Sequence, residues 1–317
     1  MRKAVLLYNP DSGGNRSRRL GEVQSALEIL RRGNVEAELV LTESVAHAGE
    51  HASRAIQEGC DTVFACGGDG TIHNIIQVLA QTDIALAILP MGTGNTLAHD
   101  LRLPLRVTEA ATAALHASSR RVALGSVRYL DLKGNPSSRY FVVAAGIGVD
   151  GHLFYKLNHG IKQQWGMTAY YLKAWHLWIT YPMSRFQVEF VETGSSKPRQ
   201  ASLTELMSVR IRNFGGVLRE LAPGASLDRN DLRLVLCHTS SRIAYLLYVT
   251  RGLLGLQGHV PGIELVSSKN VSCRYSDADR MRESRAQPAI YIEADGELLG
   301  TLPAEMSLVP DALTLLA

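Results

Sequence analysis

Residues 62–71 run Thr-Val-Phe-Ala-Cys-Gly-Gly-Asp-Gly-Thr, and this stretch constrains the fold more tightly than any other in the chain. A short apolar, β-prone run (Thr62–Cys66) breaks into glycines around one carboxylate, then into 71–79, whose apolar residues recur at helical spacing. Strand, glycine turn and helix start is the layout that turns backbone N–H groups toward an anion. Glycine permits positive φ and close approach by a ligand, and Asp69 has the chemistry to hold a metal or accept a proton. A second corner of the same form follows at 85–95, where Ala-Leu-Ala-Ile-Leu-Pro leads into Met-Gly-Thr-Gly-Asn. Two such corners on neighbouring strand ends predict a phosphorylated ligand at the edge of an α/β sheet.

The surrounding pattern agrees with a parallel sheet. Lys3–Tyr8 reads as an apolar strand ending in the turn-rich run Asn9-Pro10-Asp11-Ser12-Gly13-Gly14. Leu20, Val23, Leu27 and Leu30 mark a helix that Gly33 stops. Val35–Leu41 is the next strand, Ala48–Gln57 the next helix and Thr62–Cys66 the third strand. This alternation predicts an N-terminal α/β domain with ligands at the strand C-termini. Around Val122 the texture turns to β-type segments: 126–132, 140–145, 186–191, 206–212, 232–236, 271–275 and 290–294. Helical inserts are expected near Met167–Ile179 and Ser241–Leu254, and 280–287 reads as a polar loop. The expected architecture is a nucleotide-binding α/β domain at 1–122 plus 304–317, and a β-rich domain of antiparallel sheets at 123–303.

Composition narrows the partners. A net charge of +3 is too small to argue for nucleic-acid binding. The four cysteines (Cys60, Cys66, Cys237 and Cys273) form no CxxC pair, so reduced thiols in the cytoplasm are expected. The longest apolar stretch, Ile243–Leu256, is interrupted by Arg251 and too short to span a bilayer. No GxxxxGK[ST] loop is present, and no lysine lies between Lys3 and Lys133. Phosphate charge in the first domain must therefore meet backbone amides, hydroxyls, arginines and a metal ion.

Taken together, Asn9-Pro10-x-Ser12-Gly13, Gly67-Gly68-Asp69-Gly70-Thr71, Pro90-x-Gly92-Thr93-Gly94-Asn95 and Asp295-Gly296-Glu297 resemble the diacylglycerol kinase catalytic-domain family. That family includes bacterial soluble lipid kinases and the sphingosine and ceramide kinases, and its first domain is similar to NAD kinase. The resemblance extends to Gly146-Ile147-Gly148-Val149-Asp150 and Asn213-Phe214-Gly215-Gly216. It implies a two-domain kinase using ATP and Mg²⁺. Nucleotide binding is implied for Asn9, Ser12 and Thr42, for the loop Gly67, Gly68, Asp69, Gly70 and Thr71, and for Gly92, Thr93, Gly94 and Asn95. Asp295 matches a position proposed as general base; Asp69 and Glu297 match positions near metal and nucleotide. A hydroxyl nucleophile needs mainly orientation and a base, with catalysis dominated by charge neutralisation at the γ-phosphate.

Departures from the family pattern are visible. His73-Asn74 stands where Asn-Glu is common, and Thr96 where Asp is common. An Asp-Asp-Gly that holds a structural Mg²⁺ in some bacterial members reads Asp228-Arg229-Asn230, and Arg229 opposes a cation there.

Several residues carry two readings. Asp69 serves the ligand or simply caps the following helix. Asp295 serves catalysis or forms an Asp-Gly hairpin turn. His73 is a surface or internally satisfied side chain before it is a catalyst. The aromatic group Trp165, Tyr170, Tyr171, Trp175, Trp178 and Tyr181 fits core packing or a lipid–water boundary beside Lys156, Lys162 and Lys173. Arg16, Arg18 and Arg19 oppose the dipole at a helix start, which suits a nearby anion or a solvated cluster.

The expected activity is transfer of the γ-phosphate of ATP to a hydroxyl of a membrane lipid, diacylglycerol giving phosphatidate. The alternatives are a sphingoid-type lipid or NAD as acceptor, or a nucleotide-binding regulator without turnover. Peripheral membrane contact is expected, no nucleic acid, and a homodimer is compatible with the pattern.

Overall fold

The computed structural model describes residues 1–10, 16–44, 47–149, 151, 183–215, 220–256, 258–276 and 289–317. The expected helix at 167–179, the whole aromatic group, Lys156, Lys162, Lys173, Asp150 and the 280–287 loop lie outside the described residues, as does Ser12. The chain divides into two compact units: Met1–Leu124 with Asn213–Val217 and Val309–Ala317, and Gly125–Arg212 with Leu218–Leu308.

The first unit alternates β1 (Lys3–Tyr8), α1 (Arg16–Arg32), β2 (Glu36–Leu41), α2 (His47–Gln57), β3 (Thr62–Gly67), α3 (Asp69–Leu79), β4 (Ala85–Pro90), α4 (Thr96–Asp100) and α5 (Val107–His116). The strands lie parallel in the order β2-β1-β3-β4. β1, β3 and β4 are almost entirely buried, and such sandwiched parallel strands read as continuous apolar runs. One face carries Ala4, Leu6 and Tyr8 against Val23, Ala26 and Leu30 of α1 and Ala110 and Ala111 of α5. α2 and α3 pack against each other and against strands of this sheet. The register pairs Tyr8 with Leu41 and Cys66, and Gly67 with Pro90, so the carboxyl ends of the four strands finish side by side.

The second unit is built from antiparallel strands. These are β5 (Ser119–Asp131), which begins in the first unit, β6 (Pro136–Phe141), β7 (Ala144–Gly148), β8 (Phe186–Glu192), β9 (Pro198–Leu203), β10 (Glu205–Val209), β11 (Leu232–Cys237), β12 (Ile263–Tyr275), β13 (Tyr291–Ala294) and β14 (Glu297–Leu316). One helix, α6 (Arg242–Leu254), joins β11 to β12. The pairing runs β13-β7-β10-β11-β12-β8-β9. β14 pairs with β13 through Glu297–Thr301 and with β12 through Ala304–Ser307, which closes the pairing path on itself. Phe141, Ile147, Phe186, Leu206, Leu234 and Met306 meet in the core behind that wall.

Two expectations need correction. The first domain's return was placed at 304, whereas the second unit runs to Leu308 and the division falls inside β14. Pro303 and Pro310 read as strand breakers in sequence. β14 tolerates them because it changes partners there: β13 before Pro303, β12 up to Ser307, then β4 at Thr314 and Leu315, in parallel. The second correction concerns Asn213–Val217, assigned from sequence to the β-rich domain but belonging to the first unit.

Candidate functional site

The two glycine corners of the first unit lock into each other, and the contact explains most of their glycines. A Cβ added to Gly92 would stand 2.5 Å from the Cα of Gly68 and 3.0 Å from Asn95 Oδ1. One on Gly94 would stand 2.8 Å from Asp69 Oδ2, and one on Gly67 2.4 Å from Thr71 Oγ1. Positive φ, which glycine permits, is not what these positions use. None of Gly67, Gly68, Gly70, Gly92 or Gly94 has positive φ, and Asn95 alone in the two loops does, at 48°. The glycines are needed for backbone-on-backbone packing, and Asn95 takes the left-handed turn that starts α4. Its side chain closes the loop: Gly92 N–H donates to Asn95 Oδ1 at 2.8 Å, and Asn95 Nδ2 donates to the Gly92 carbonyl at 3.0 Å.

Asp69 joins the corners. It is the first residue of α3, with Gly68 as N-cap and no side-chain cap on that helix. Its Oδ1 accepts the Thr96 N–H at 2.8 Å, and its Oδ2 accepts the Thr96 hydroxyl at 3.3 Å. A carboxylate at the start of one helix thus caps the start of the next, favourable with both dipoles. Asp69 does cap a helix, but α4 rather than the α3 it begins. Thr96, passed over in sequence as a departure from pattern, supplies both donors; a hydroxyl residue opening a helix after Gly-Thr-Gly-Asn was the available signal.

Asn9 and Thr42 lie beside the corners. Asn9 is buried and its N–H donates to the Cys66 carbonyl at 3.3 Å. Thr42 is buried, with its N–H on the Tyr8 carbonyl at 2.8 Å and its hydroxyl on the same oxygen at 3.3 Å. Asn9, Thr42, the 67–71 loop and the 92–95 loop are therefore gathered at the carboxyl edge of the parallel sheet. His73 is buried on α3 rather than at the surface. Burial pushes the Cys66 thiol far up, so this cysteine at the end of β3 is an apolar core residue. Arg18 and Arg19 each reach Glu22, at 3.2 and 3.4 Å. Together with Arg106 they line a cavity of about 620 Å³ where α1 and α5 begin. The side chain of Arg16 lies outside the described residues.

The segment after β10 seats on α4. Asn213 N–H donates to Asp100 Oδ1 at 2.8 Å, and Gly215 N–H to Asn213 Oδ1 at 3.0 Å. Gly215 has φ 76° and would place a Cβ 2.3 Å from the His99 ring, so both conformation and space require glycine.

In the second unit, Asp295 and Gly296 have φ 50° and 84° and are the two loop residues between the paired Ala294 and Glu297. Positive φ at both is the two-residue hairpin turn that Asp-Gly favours. The turn reading of Asp295 holds, yet its side chain does more. Oδ1 accepts N–H bonds from Val143 (2.8 Å) and Ala144 (3.1 Å), and Oδ2 accepts one from Val142 (3.0 Å). The Asp295 N–H returns to the Ala144 carbonyl at 2.8 Å. Three successive amides fix this carboxylate to the start of β7, a contact no local pattern announced. Glu293 Oε2 accepts the Gly296 N–H at 3.0 Å, and Glu297 is half-buried at the start of β14.

The Asp228-Arg229-Asn230 loop is organised by guanidinium groups. Arg210 is fully buried and donates to the carbonyls of Leu227 (3.1 Å), Arg229 (3.0 Å) and Asp231 (2.6 Å). Burial lowers its pKa to about 10. Arg229 makes a two-pronged pair with Asp231 at 2.7 and 2.6 Å, which raises the Arg229 pKa. Among the described residues no group of three or more His, Cys, Asp and Glu stands ready to hold a metal ion.

Comparison with known proteins settles the family. The family model "Diacylglycerol kinase catalytic domain" matches residues 3–127, and "YegS C-terminal NAD kinase beta sandwich-like domain" matches 142–317. The chain belongs to the diacylglycerol kinase catalytic-domain family. It is 25% identical over 308 residues to a diacylglycerol kinase of Bacillus subtilis (strain 168), covering 96% of this chain and 93% of that protein. A diacylglycerol kinase of Staphylococcus aureus (strain MRSA252) is 26% identical over 309 residues, covering 96% and 88%. A crystal structure of a Bacillus anthracis str. Sterne diacylglycerol kinase superposes with TM-score 0.68 at 18% identity, covering 99% of this chain and 96% of that one. Yeast NADH kinase complexed with NADH superposes with TM-score 0.50 at 10% identity, covering 100% and 83%. These likenesses show the fold, an α/β unit joined to an antiparallel β-rich unit related to NAD kinase. The chain is a lipid kinase, a phosphotransferase with an alcohol group as acceptor.

Proposed function

We propose that this lipid kinase transfers the γ-phosphate of ATP to the free hydroxyl of diacylglycerol, giving phosphatidate. The observation that carries the reading is the interlocked pair of glycine corners at the carboxyl edge of the parallel sheet, with Asp69 joining them. The names of the Bacillus and Staphylococcus relatives support diacylglycerol as acceptor.

The residues present fit a nucleotide's phosphates. α3 begins with glycine at its N-cap and no capping side chain, the kind of helix start that suits an anion. Gly68 and Gly92 bring the two loops within backbone contact, which supports both loops serving one anion. With no lysine between Lys3 and Lys133, charge would be met by backbone amides and by arginine. Asp69 and Glu297 are the candidate protein ligands for Mg²⁺, which when bound neutralises charge on the β- and γ-phosphates. Few protein carboxylates suit Mg²⁺, which keeps water and substrate phosphate in its shell.

In the proposed reaction Asp295 takes the proton of the lipid hydroxyl. The Val142, Val143 and Ala144 amides hold that carboxylate in one orientation, the positioning that phosphoryl transfer demands. Asn9 and Thr42 border the nucleotide site and define its edge.

The test is a panel assay with labelled ATP, Mg²⁺ and diacylglycerol, a sphingoid base, ceramide or NAD⁺ as acceptor. Label in phosphatidate is expected. Label confined to another acceptor would move the substrate assignment, and nucleotide binding without transfer to any acceptor would sink the catalytic reading.

A further inference from the structure

Glu293 is a carboxylate buried where the strand pattern does not call for one. Its neighbours along β13, Ile292 and Ala294, pack into the core of the second unit with Ile147 and Leu206. The register of β13 on β7 is regular from Ile292 to Ala294, so alternation places Glu293 on the face away from that core. Across from it stand Gly146 on β7, which has no side chain to cover it, and the half-buried Leu298 on β14. Glu293 is nonetheless only 6% exposed. A charged group buried to this extent needs hydrogen bonds to offset its lost hydration. One of them runs three residues forward: Glu293 Oε2 accepts the Gly296 N–H at 3.0 Å.

That N–H belongs to the central peptide of the hairpin turn. With φ 50° at Asp295 and 84° at Gly296, the two-residue loop is of type I′, and the peptide joining these residues is its middle plane. The strand ladder resumes on either side, where Ala294 pairs with Glu297. β7 fastens the first turn residue: the Asp295 carboxylate accepts three of its amides, and the Asp295 N–H donates to the Ala144 carbonyl. Glu293 fastens the second, Gly296, which has no side chain of its own to anchor it. The turn is thus held at both of its residues by groups outside it.

Both groups that the proposed reaction takes from this unit ride on that turn. Asp295 is its first residue, and Glu297 follows Gly296 directly. Rocking of the central peptide would work the Asp295 side chain against its three amides and carry Glu297 along with Gly296. Phosphoryl transfer is sensitive to displacements of about 1 Å in the groups that position its reactants. We propose that Glu293 is a positioning residue for phosphoryl transfer, its carboxylate holding the Gly296 N–H so that the turn presents Asp295 and Glu297 in one geometry. The catalytic part of this inference rests on the proposed roles of Asp295 and Glu297; the hold on the turn rests on the geometry alone.

Three substitutions in the full chain separate reach from charge. Glu293→Gln keeps an acceptor oxygen at the same reach without the charge, Glu293→Asp keeps the charge one methylene short, and Glu293→Ala removes both. Each is measured for turnover with ATP varied at saturating diacylglycerol, for thermal unfolding, and for hydrogen exchange at the Gly296 amide. Glu293→Gln is expected to stay near wild type. Glu293→Asp and Glu293→Ala are expected to lose about tenfold in kcat, the worth of one charge-assisted hydrogen bond, with KM for ATP within about twofold. In both, the Gly296 amide is expected to exchange about tenfold faster while Tm changes little. Wild-type kcat or unchanged Gly296 exchange in folded Glu293→Ala overturns the proposal. So does a Glu293→Gln variant that falls as far as Glu293→Ala, which would make charge and not the bond the active property. Parallel losses in kcat, ATP affinity and Tm overturn it too, as the mark of a merely structural side chain. Asp295→Asn run alongside tells the two failures apart: if it also keeps wild-type kcat, the catalytic reading of the turn is what fails, and Gly296 exchange alone judges whether Glu293 holds it.

Discussion

Replacing Gly92 by alanine tests the interlocked corners directly. The new methyl would sit 2.5 Å from the Cα of Gly68, where carbon atoms normally stop at about 3.5–4.0 Å. Both partners are backbone atoms, so no side chain can swing away, and the two loops must part by about 1 Å or more. A displacement of that size in groups that position a reacting phosphate costs about 10²-fold in rate. Overpacking of this kind also costs about 1–3 kcal/mol of stability. Gly92→Ala is therefore expected to lose about two orders of magnitude in kcat/KM for ATP, with a modest drop in Tm. The assay is steady-state kinase turnover with ATP varied at saturating Mg²⁺ and lipid, alongside thermal unfolding. Gly21→Ala is the control: nothing lies within 4 Å of its added methyl, and it sits inside α1, so activity should hold and stability should not fall. If Gly92→Ala keeps ATP kinetics within twofold of wild type, the loops are not held by this contact or do not hold nucleotide, and the argument fails.

Three further outcomes are expected. Asp69→Asn keeps the fold but removes most activity, and Thr96→Val, which deletes one of the two donors to Asp69, falls between it and wild type; equal kcat in all three proteins would leave Asp69 as a cap alone. Asp295→Asn preserves the left-handed turn, which asparagine accepts, and lowers kcat by about 10²–10⁴ with little change in KM for ATP; an unchanged kcat returns Asp295 to its hairpin role. Arg210→Met strips a buried cation from the Leu227, Arg229 and Asp231 carbonyls, which predicts a loss of about 3–5 kcal/mol, whereas a chelator should leave the unfolding curve of the wild type in place. A chelator-sensitive curve without nucleotide would contradict the guanidinium-built loop.

Sequence by itself determined the order and kind of elements from β1 to β4 in the first unit, because strands buried on both faces must read as apolar runs and their helices as periodic ones; α4 and α5 were not read from it. It also picked out the residues at the corners, since strand, glycine turn and helix start is a local grammar. The reason for the glycines lay beyond its reach. Gly68 and Gly92 are far apart in the chain, and only folding sets one backbone upon the other. The same holds for Asp69, whose partner Thr96 is 27 residues away, and for Asp295, held by amides more than 150 residues earlier. β14 escaped notice because its prolines look like breaks until its successive partners are known. α6 was read as a helix, but whether its leucines point to a core or to water is a question of what packs beside them. Local patterns fix what a segment can become; which distant groups it meets is decided by tertiary structure, because hydrogen bonding and packing depend on proximity in space and not along the chain.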